Sequence, residues 1–164
     1  MDKVLITGGA GFIGSHIARF CAAKGLRVAI IDSLRTGHAD NLRGVDTEFT
    51  EGSVEDAALV QKLAHGARFV FHSAALVSVP ESMTKPEETE RINVLGTLNV
   101  LEAAKRAGCE CVVFSSTSAV YGDVDRPIHA ETDLPEPVSP YAISKLAAEH
   151  YMHCLLYTSP SPRD

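Results

Sequence analysis

Short runs of consecutive apolar residues alternate along the chain with segments whose apolar positions recur every three or four residues. Residues 3–7, 27–31, 46–50, 68–72 and 110–115 read as strands, with 46–50 the weakest. Between them, residues 12–24 read as a helix with Ile13, Ile17 and Phe20 on one face, and 55–65 as a helix carrying Leu59, Val60 and Leu63. A longer helix is predicted over 87–107, with Ile92, Leu95, Leu98 and Leu101, and a last one from Pro140 to His153. Buried-type strands alternating with helices imply an α/β fold: a Rossmann-type, doubly wound parallel sheet covered on both faces. Ligands of such sheets bind beyond the carboxyl ends of the strands, so the first strand-to-helix turn is the first place to look.

That turn reads Thr7-Gly8-Gly9-Ala10-Gly11-Phe12-Ile13-Gly14 and satisfies both G-x-G-x-x-G and G-x-x-G-x-x-G. Glycines there allow a tight turn and close approach of backbone to a pyrophosphate, whose charge suits the free N–H groups of a helix N-terminus. Asp32 ends the second strand, eighteen residues after Gly14. A carboxylate at that point accepts hydrogen bonds from an adenosine ribose diol and repels a 2′-phosphate, which favours NAD over NADP; Arg35 nearby is a cation that softens the preference.

The last helix carries Tyr141-Ala142-Ile143-Ser144-Lys145, so the phenol and the ammonium, four residues apart, share a face. A neighbouring cation favours a tyrosine's phenolate, making Tyr141 a candidate general base. Hydroxyls in Ser115-Ser116-Thr117-Ser118, at the end of the fifth strand, would face the same cleft.

Composition changes this picture little. The chain has 164 residues, 45% hydrophobic and 22% charged, with a net charge of -6 and scattered basic residues. Neither a nucleic-acid surface nor a membrane span of ~20 apolar residues is indicated. Nothing at the start reads as a signal peptide, and the expectation is a cytoplasmic protein. Cys109 and Cys111 form a C-x-C pair without a second ligand pair, and are expected to be buried or half-buried reduced thiols. His72 is expected to be a core histidine, and the other six histidines form no metal-ligand pattern.

The glycine turn, Asp32, His72-Ser73-Ala74-Ala75, Asn93-Val94-Leu95-Gly96-Thr97, Ser115 to Gly122 and Tyr141 to Lys145 together resemble the extended short-chain dehydrogenases/reductases, the NAD-dependent epimerase/dehydratase family. The likeness covers residues 1–153 and is strongest to enzymes of the UDP-glucose 4-epimerase type. It implies NAD as cofactor, a nucleotide-sugar substrate, epimerisation through a 4-keto intermediate and, at full length, a possible homodimer. By position, it implies Thr117, Tyr141 and Lys145 as the catalytic set. Gly8, Gly11, Phe12, Ile13 and Gly14 would hold the pyrophosphate, while Asp32, Ser33 and Thr36 would hold the adenosine ribose. Ser53 and Val54 would flank adenine, Ser73, Ala74 and Ala75 would line the dinucleotide, and Asn93 would steady the site. Lys145 and Tyr141 would lie by the nicotinamide ribose, and Ser78 and Thr117 by the substrate.

Three departures from the family pattern stand out. Ser53 replaces a usual Asp, and Ser33 an Asn common in 4-epimerases. Ser118-Ala119 stands where the 4,6-dehydratases carry Asp-Glu, which argues against dehydration. A UDP-glucuronate decarboxylase, another nucleotide-sugar dehydrogenase or reductase, and a non-catalytic NAD-sensing module remain alternatives. Family members continue past the Tyr–Lys helix into a substrate domain, so the chain by itself is expected to be inactive. Residues 154–164 match the translation of a transposase adaptor used in sequencing libraries, and are read as a non-native tail.

Overall fold

Five strands, β1 (Lys3–Thr7), β2 (Arg27–Asp32), β3 (Glu48–Glu51), β4 (Ala67–His72) and β5 (Cys111–Phe114), form one parallel sheet in the order β3-β2-β1-β4-β5. This is a computed structural model, and it describes residues 1–123 and 128–157. The order reverses between β2 and β4 around the central β1, which is the signature of double winding. Every residue of β1 is buried.

Alternation along β1 divides the core. Val4 and Ile6 pack with Val28, Ile30, Ala18 and Cys21 on the face covered by α1 (Phe12–Ala23). Leu5 packs with Ala29, Ile31, Val60, Val70 and Val100 on the face covered by α2 (Ala57–Ala64) and α5 (Gly96–Ala107). Period-two side-chain alternation therefore feeds two cores from one strand, each large buried side chain contributing roughly 1.5–3 kcal/mol.

Thr7 aligns with Ile31 and with His72, so β1, β2 and β4 end together at one edge. The turns after these strands converge there.

Five expectations need correction. The buried face of α1 is Gly14, Ala18 and Cys21, while Ile13 and Phe20 are 55% and 64% exposed. Small residues face the sheet because the glycine turn brings the helix close to it. The helix expected over 87–107 consists of α4 (Pro86–Glu90), a π turn (Arg91–Leu95) and α5, with Leu95 exposed. The stretch around Ser78, where no element is predicted, contains α3 (Val79–Thr84), capped by the Ser78 hydroxyl, which accepts the Glu81 N–H. The last helix, α6, spans Pro140–Tyr157 and continues past His153, since no helix breaker occurs before Pro160. Cys111 is exposed on β5, whereas Cys109 is half-buried as expected. Among the described residues no helix is long and apolar enough to cross a membrane.

Candidate functional site

A cleft of about 520 Å³ opens at the carboxyl edge of β1, β2 and β4. One wall is the glycine turn: Gly8, Gly11, Phe12, Ile13 and Gly14 all line it. Gly8 has φ +69°, and a Cβ on it would lie 2.7 Å from the Ala74 nitrogen of the opposite wall. A Cβ on Gly14 would lie 2.2 Å from the Gly8 carbonyl oxygen. Both positions therefore need a residue without a side chain, one for its left-handed backbone and both for close approach. The first N–H groups of α1, which have no partner within the helix, point to this wall.

Asp32 closes the second wall with Ser33 and Thr36. Its carboxylate is buried and holds two loops: Ala10 N–H donates to Oδ2 (2.9 Å) and Leu34 N–H to Oδ1 (2.8 Å). A carboxylate has about four acceptor positions, so two remain for hydroxyls entering the cleft. Ser53 and Val54 line the third side, and Ser73, Ala74 and Ala75, directly after β4, line the fourth. The Ser53 hydroxyl donates to the Glu55 carboxylate (3.0 Å), placing a carboxylate two residues from where the usual aspartate is missing.

Several lining residues escaped sequence reasoning. Glu55, Leu76, Val77 and Ile92 line the cleft, and only Glu55 had a signal, its charge beside Ser53. Arg35 also lines it, but its guanidinium is engaged: one nitrogen is 2.6 Å from Glu81 and the other 2.7 Å from Glu88. These contacts raise the Arg35 pKa and lower that of Glu88, while Lys85, and then Arg35, lower that of Glu81. The clasp spans the sequence from the β2 loop to α3 and α4, and it keeps the cation from acting freely at Asp32.

Asn93, Tyr141 and Lys145 are not in the cleft lining. Asn93 is buried in the π turn with its amide fully used by the protein. Oδ1 accepts Leu76 N–H (2.7 Å), and Nδ2 donates to the Leu76 carbonyl (3.1 Å) and to the Ser144 hydroxyl (2.9 Å). It braces the cleft through the lining residue Leu76. Tyr141 is half-buried in the first turn of α6, where its N–H donates to the Ser82 hydroxyl (3.1 Å). Lys145, one turn on, is buried, with its ammonium 3.9 Å from the centroid of the Phe114 ring. Burial lowers the Lys145 pKa to about 8, against the opposing pull of Glu149.

Thr117 caps a 3₁₀ turn (Ser118–Tyr121), its hydroxyl accepting the Ala119 N–H (3.2 Å). That turn packs on α6, and the Ser116 hydroxyl hydrogen-bonds Glu149 of the same helix. The hydroxyl cluster and the Tyr–Lys helix are thereby held together.

A doubly wound sheet with a glycine turn and a strand-end aspartate places the chain in the class of dinucleotide-binding α/β folds. More specifically, the chain belongs to the NAD dependent epimerase/dehydratase family, whose sequence profile matches residues 4–155. It is 39% identical over 155 residues to the UDP-glucose 4-epimerase of Lactobacillus helveticus, covering 92% of this chain and 46% of that protein. A putative UDP-glucose 4-epimerase of Methanocaldococcus jannaschii is 37% identical over 151 residues, 91% of this chain and 49% of that one. Among solved structures, the Thermotoga maritima UDP-glucose 4-epimerase with UDP-glucose superposes with a TM-score of 0.90 at 36% identity, covering 95% of this chain and 52% of that chain. The Brucella ovis enzyme in complex with NAD gives 0.87 at 36% identity, with 96% and 49% covered. The chain spans about half the length of the curated relatives it matches.

Proposed function

We propose that this chain is the NAD-binding half of a nucleotide-sugar epimerase of the UDP-glucose 4-epimerase type. The observation that carries the proposal is the cleft: glycine turn, Asp32 and Ser73–Ala75 line one cavity at the carboxyl edge of the sheet. A dinucleotide fits these residues. Backbone N–H groups behind Gly11 and Gly14 suit a pyrophosphate, in a cradle that a Cβ on Gly14 would fill. The two free acceptor positions of Asp32 suit a ribose diol.

NAD, when bound, supplies the acceptor and donor of hydride. Tyr141 takes the proton of the sugar 4-hydroxyl as C4 is oxidised, leaving a 4-keto sugar, and returns it when C4 is reduced on the other face. Lys145 holds positive charge beside the phenol, and the Thr117 hydroxyl orients the reacting oxygen. Ser78, next in sequence to the lining residue Val77, is assigned to the substrate side. Ser118 and Ala119 offer no acid or base for dehydration.

Sugar turnover, pairing into a homodimer and a cytoplasmic setting are read for the longer protein. Residues 1–153 are read as native and 154–164 as the adaptor-derived tail. Alone, the chain is expected to bind NAD⁺ weakly and not to epimerise. Calorimetric titration tests this: saturable NAD⁺ binding that Asp32→Ala weakens is expected. Absence of binding by the folded chain, or conversion of UDP-glucose to UDP-galactose by it, would overturn one part or the other.

A further inference from the structure

His72 ends β4 with its ring wholly buried between two threonines, and neither the cleft nor the proposed proton transfer uses it. Its partners fix its protonation by elimination. The Asn93 carbonyl can only accept, so the Thr97 hydroxyl, 2.5 Å away, donates its proton there. His72 Nε2, 2.9 Å from the Thr97 oxygen, must then be the donor of that pair. A neutral imidazole has one N–H, so Nδ1 is bare and accepts the Thr7 hydroxyl proton across 2.6 Å. The Thr7 oxygen keeps a lone pair, which accepts the Ala74 N–H at 3.2 Å.

Every link thus runs one way, from Ala74 N–H through Thr7, His72 and Thr97 to the Asn93 carbonyl. The Asn93 amide carries the connection on to Leu76 and to Ser144, whose hydroxyl donates to the Tyr141 carbonyl at 2.7 Å. Thr7, His72, Thr97, Asn93 and Ser144 are all buried, so no water stands by to replace a lost partner. A second ring proton would point at the Thr7 hydroxyl, which would have to give up its own acceptor. Burial, then the charge of Lys145, pushes the His72 pKa down to about 3, in accord with a permanently neutral ring. Phe114, 5.5 Å away and tilted by 31°, covers the ring on the β5 side.

We propose that His72 is a positioning residue, held as the Nε2–H tautomer, which couples the dinucleotide wall at Ala74 to the helix that carries Tyr141 and Lys145. The proposal rests on the dinucleotide-binding reading of the cleft. It makes Thr97, which does not line the cleft, a determinant of cofactor affinity through a hydrogen bond to a side chain that touches no ligand.

Two measurements test it on the chain itself. Long-range proton–nitrogen spectra of ¹⁵N-histidine-labelled chain should show His72 as a single Nε2–H tautomer that does not titrate between about pH 5 and pH 8. A mixed, Nδ1–H or titrating ring would overturn the relay. Thr97→Val keeps shape but removes the acceptor for Nε2–H. It should shift His72 toward the Nδ1–H form and weaken NAD⁺ binding about fivefold, the worth of one hydrogen bond. Thr97→Ser should restore both.

Val and Ser variants with equal Kd, each measured well below its own melting temperature, would leave His72 a mere core residue and sink the coupling. If Thr97→Val does not fold, Thr97→Ala is read in the same way. If the wild-type chain binds no NAD⁺, the cofactor reading fails, and the tautomer alone decides whether the relay exists.

Discussion

The Lys145 ammonium lies over the face of the Phe114 ring, 3.9 Å from its centroid, in a pocket that excludes nearly all solvent. The aromatic face favours the charged form, and burial disfavours it more strongly. Lysine held near 8 in the fold and near 10.5 when unfolded binds fewer protons in the fold between those values. Stability should therefore rise with pH across that window, and the full penalty of the buried charge, on the order of 3 kcal/mol, acts below pH 8. Thermal melts should show Lys145→Met more stable than the wild type by several degrees at pH 7, with the difference shrinking between pH 8 and 10.5. A constant difference across that range would contradict the burial argument.

The glycine turn should respond in a graded way. Gly14→Ala sets a Cβ 2.2 Å from the Gly8 carbonyl, backbone against backbone, and neither side can yield without unmaking the turn. A loss on the order of 3 kcal/mol or more is expected in denaturant melts, along with loss of NAD⁺ binding. Gly11→Ala meets the same oxygen at 3.2 Å and should cost far less.

Cofactor preference should depend on the carboxylates that hold Arg35. With Glu81 and Glu88 both changed to Gln, the guanidinium loses its two charged partners next to Asp32. The expected result is a several-fold fall in the ratio of NADP⁺ to NAD⁺ dissociation constants, read by competition calorimetry. Asp32→Ala should lower the same ratio and also loosen the loops anchored through Ala10 and Leu34.

Among the described residues, β5 is paired on one side only, and Cys111 and Val113 are exposed along it. An open strand with apolar side chains is a template for other chains. Val113→Lys should suppress light scattering during concentration without a change in melting temperature beyond a degree or two.

The five strands, the glycine turn and Asp32 were legible because glycine, aspartate and apolar runs act locally, whereas Ser33, Thr36, Ser53, Val54 and Ser73 to Ala75 were placed by resemblance alone. The face of α1 was misread because Ile13 and Phe20 were counted as core by residue type, whereas a helix packed tightly on a sheet buries Gly14, Ala18 and Cys21. α3 is too short for periodicity to show. The Arg35 clasp joins residues 46 and 53 positions apart, and no local pattern marks such a pairing. Asn93 was found by resemblance, but its partners, Leu76 and Ser144, come from two other segments and only the folded chain brings them together.

The π turn at Arg91–Leu95 acts as a phase shifter. One extra residue in a single turn rotates everything downstream by about 100° relative to the helix before it. Removing a single residue from this stretch would restore ordinary α geometry and, without touching any cleft residue before Ile92, swing the Asn93 amide away from Leu76 and Ser144. Length in this segment is thus as strict a requirement as sequence, and homologous proteins should tolerate substitutions here far more readily than a one-residue deletion.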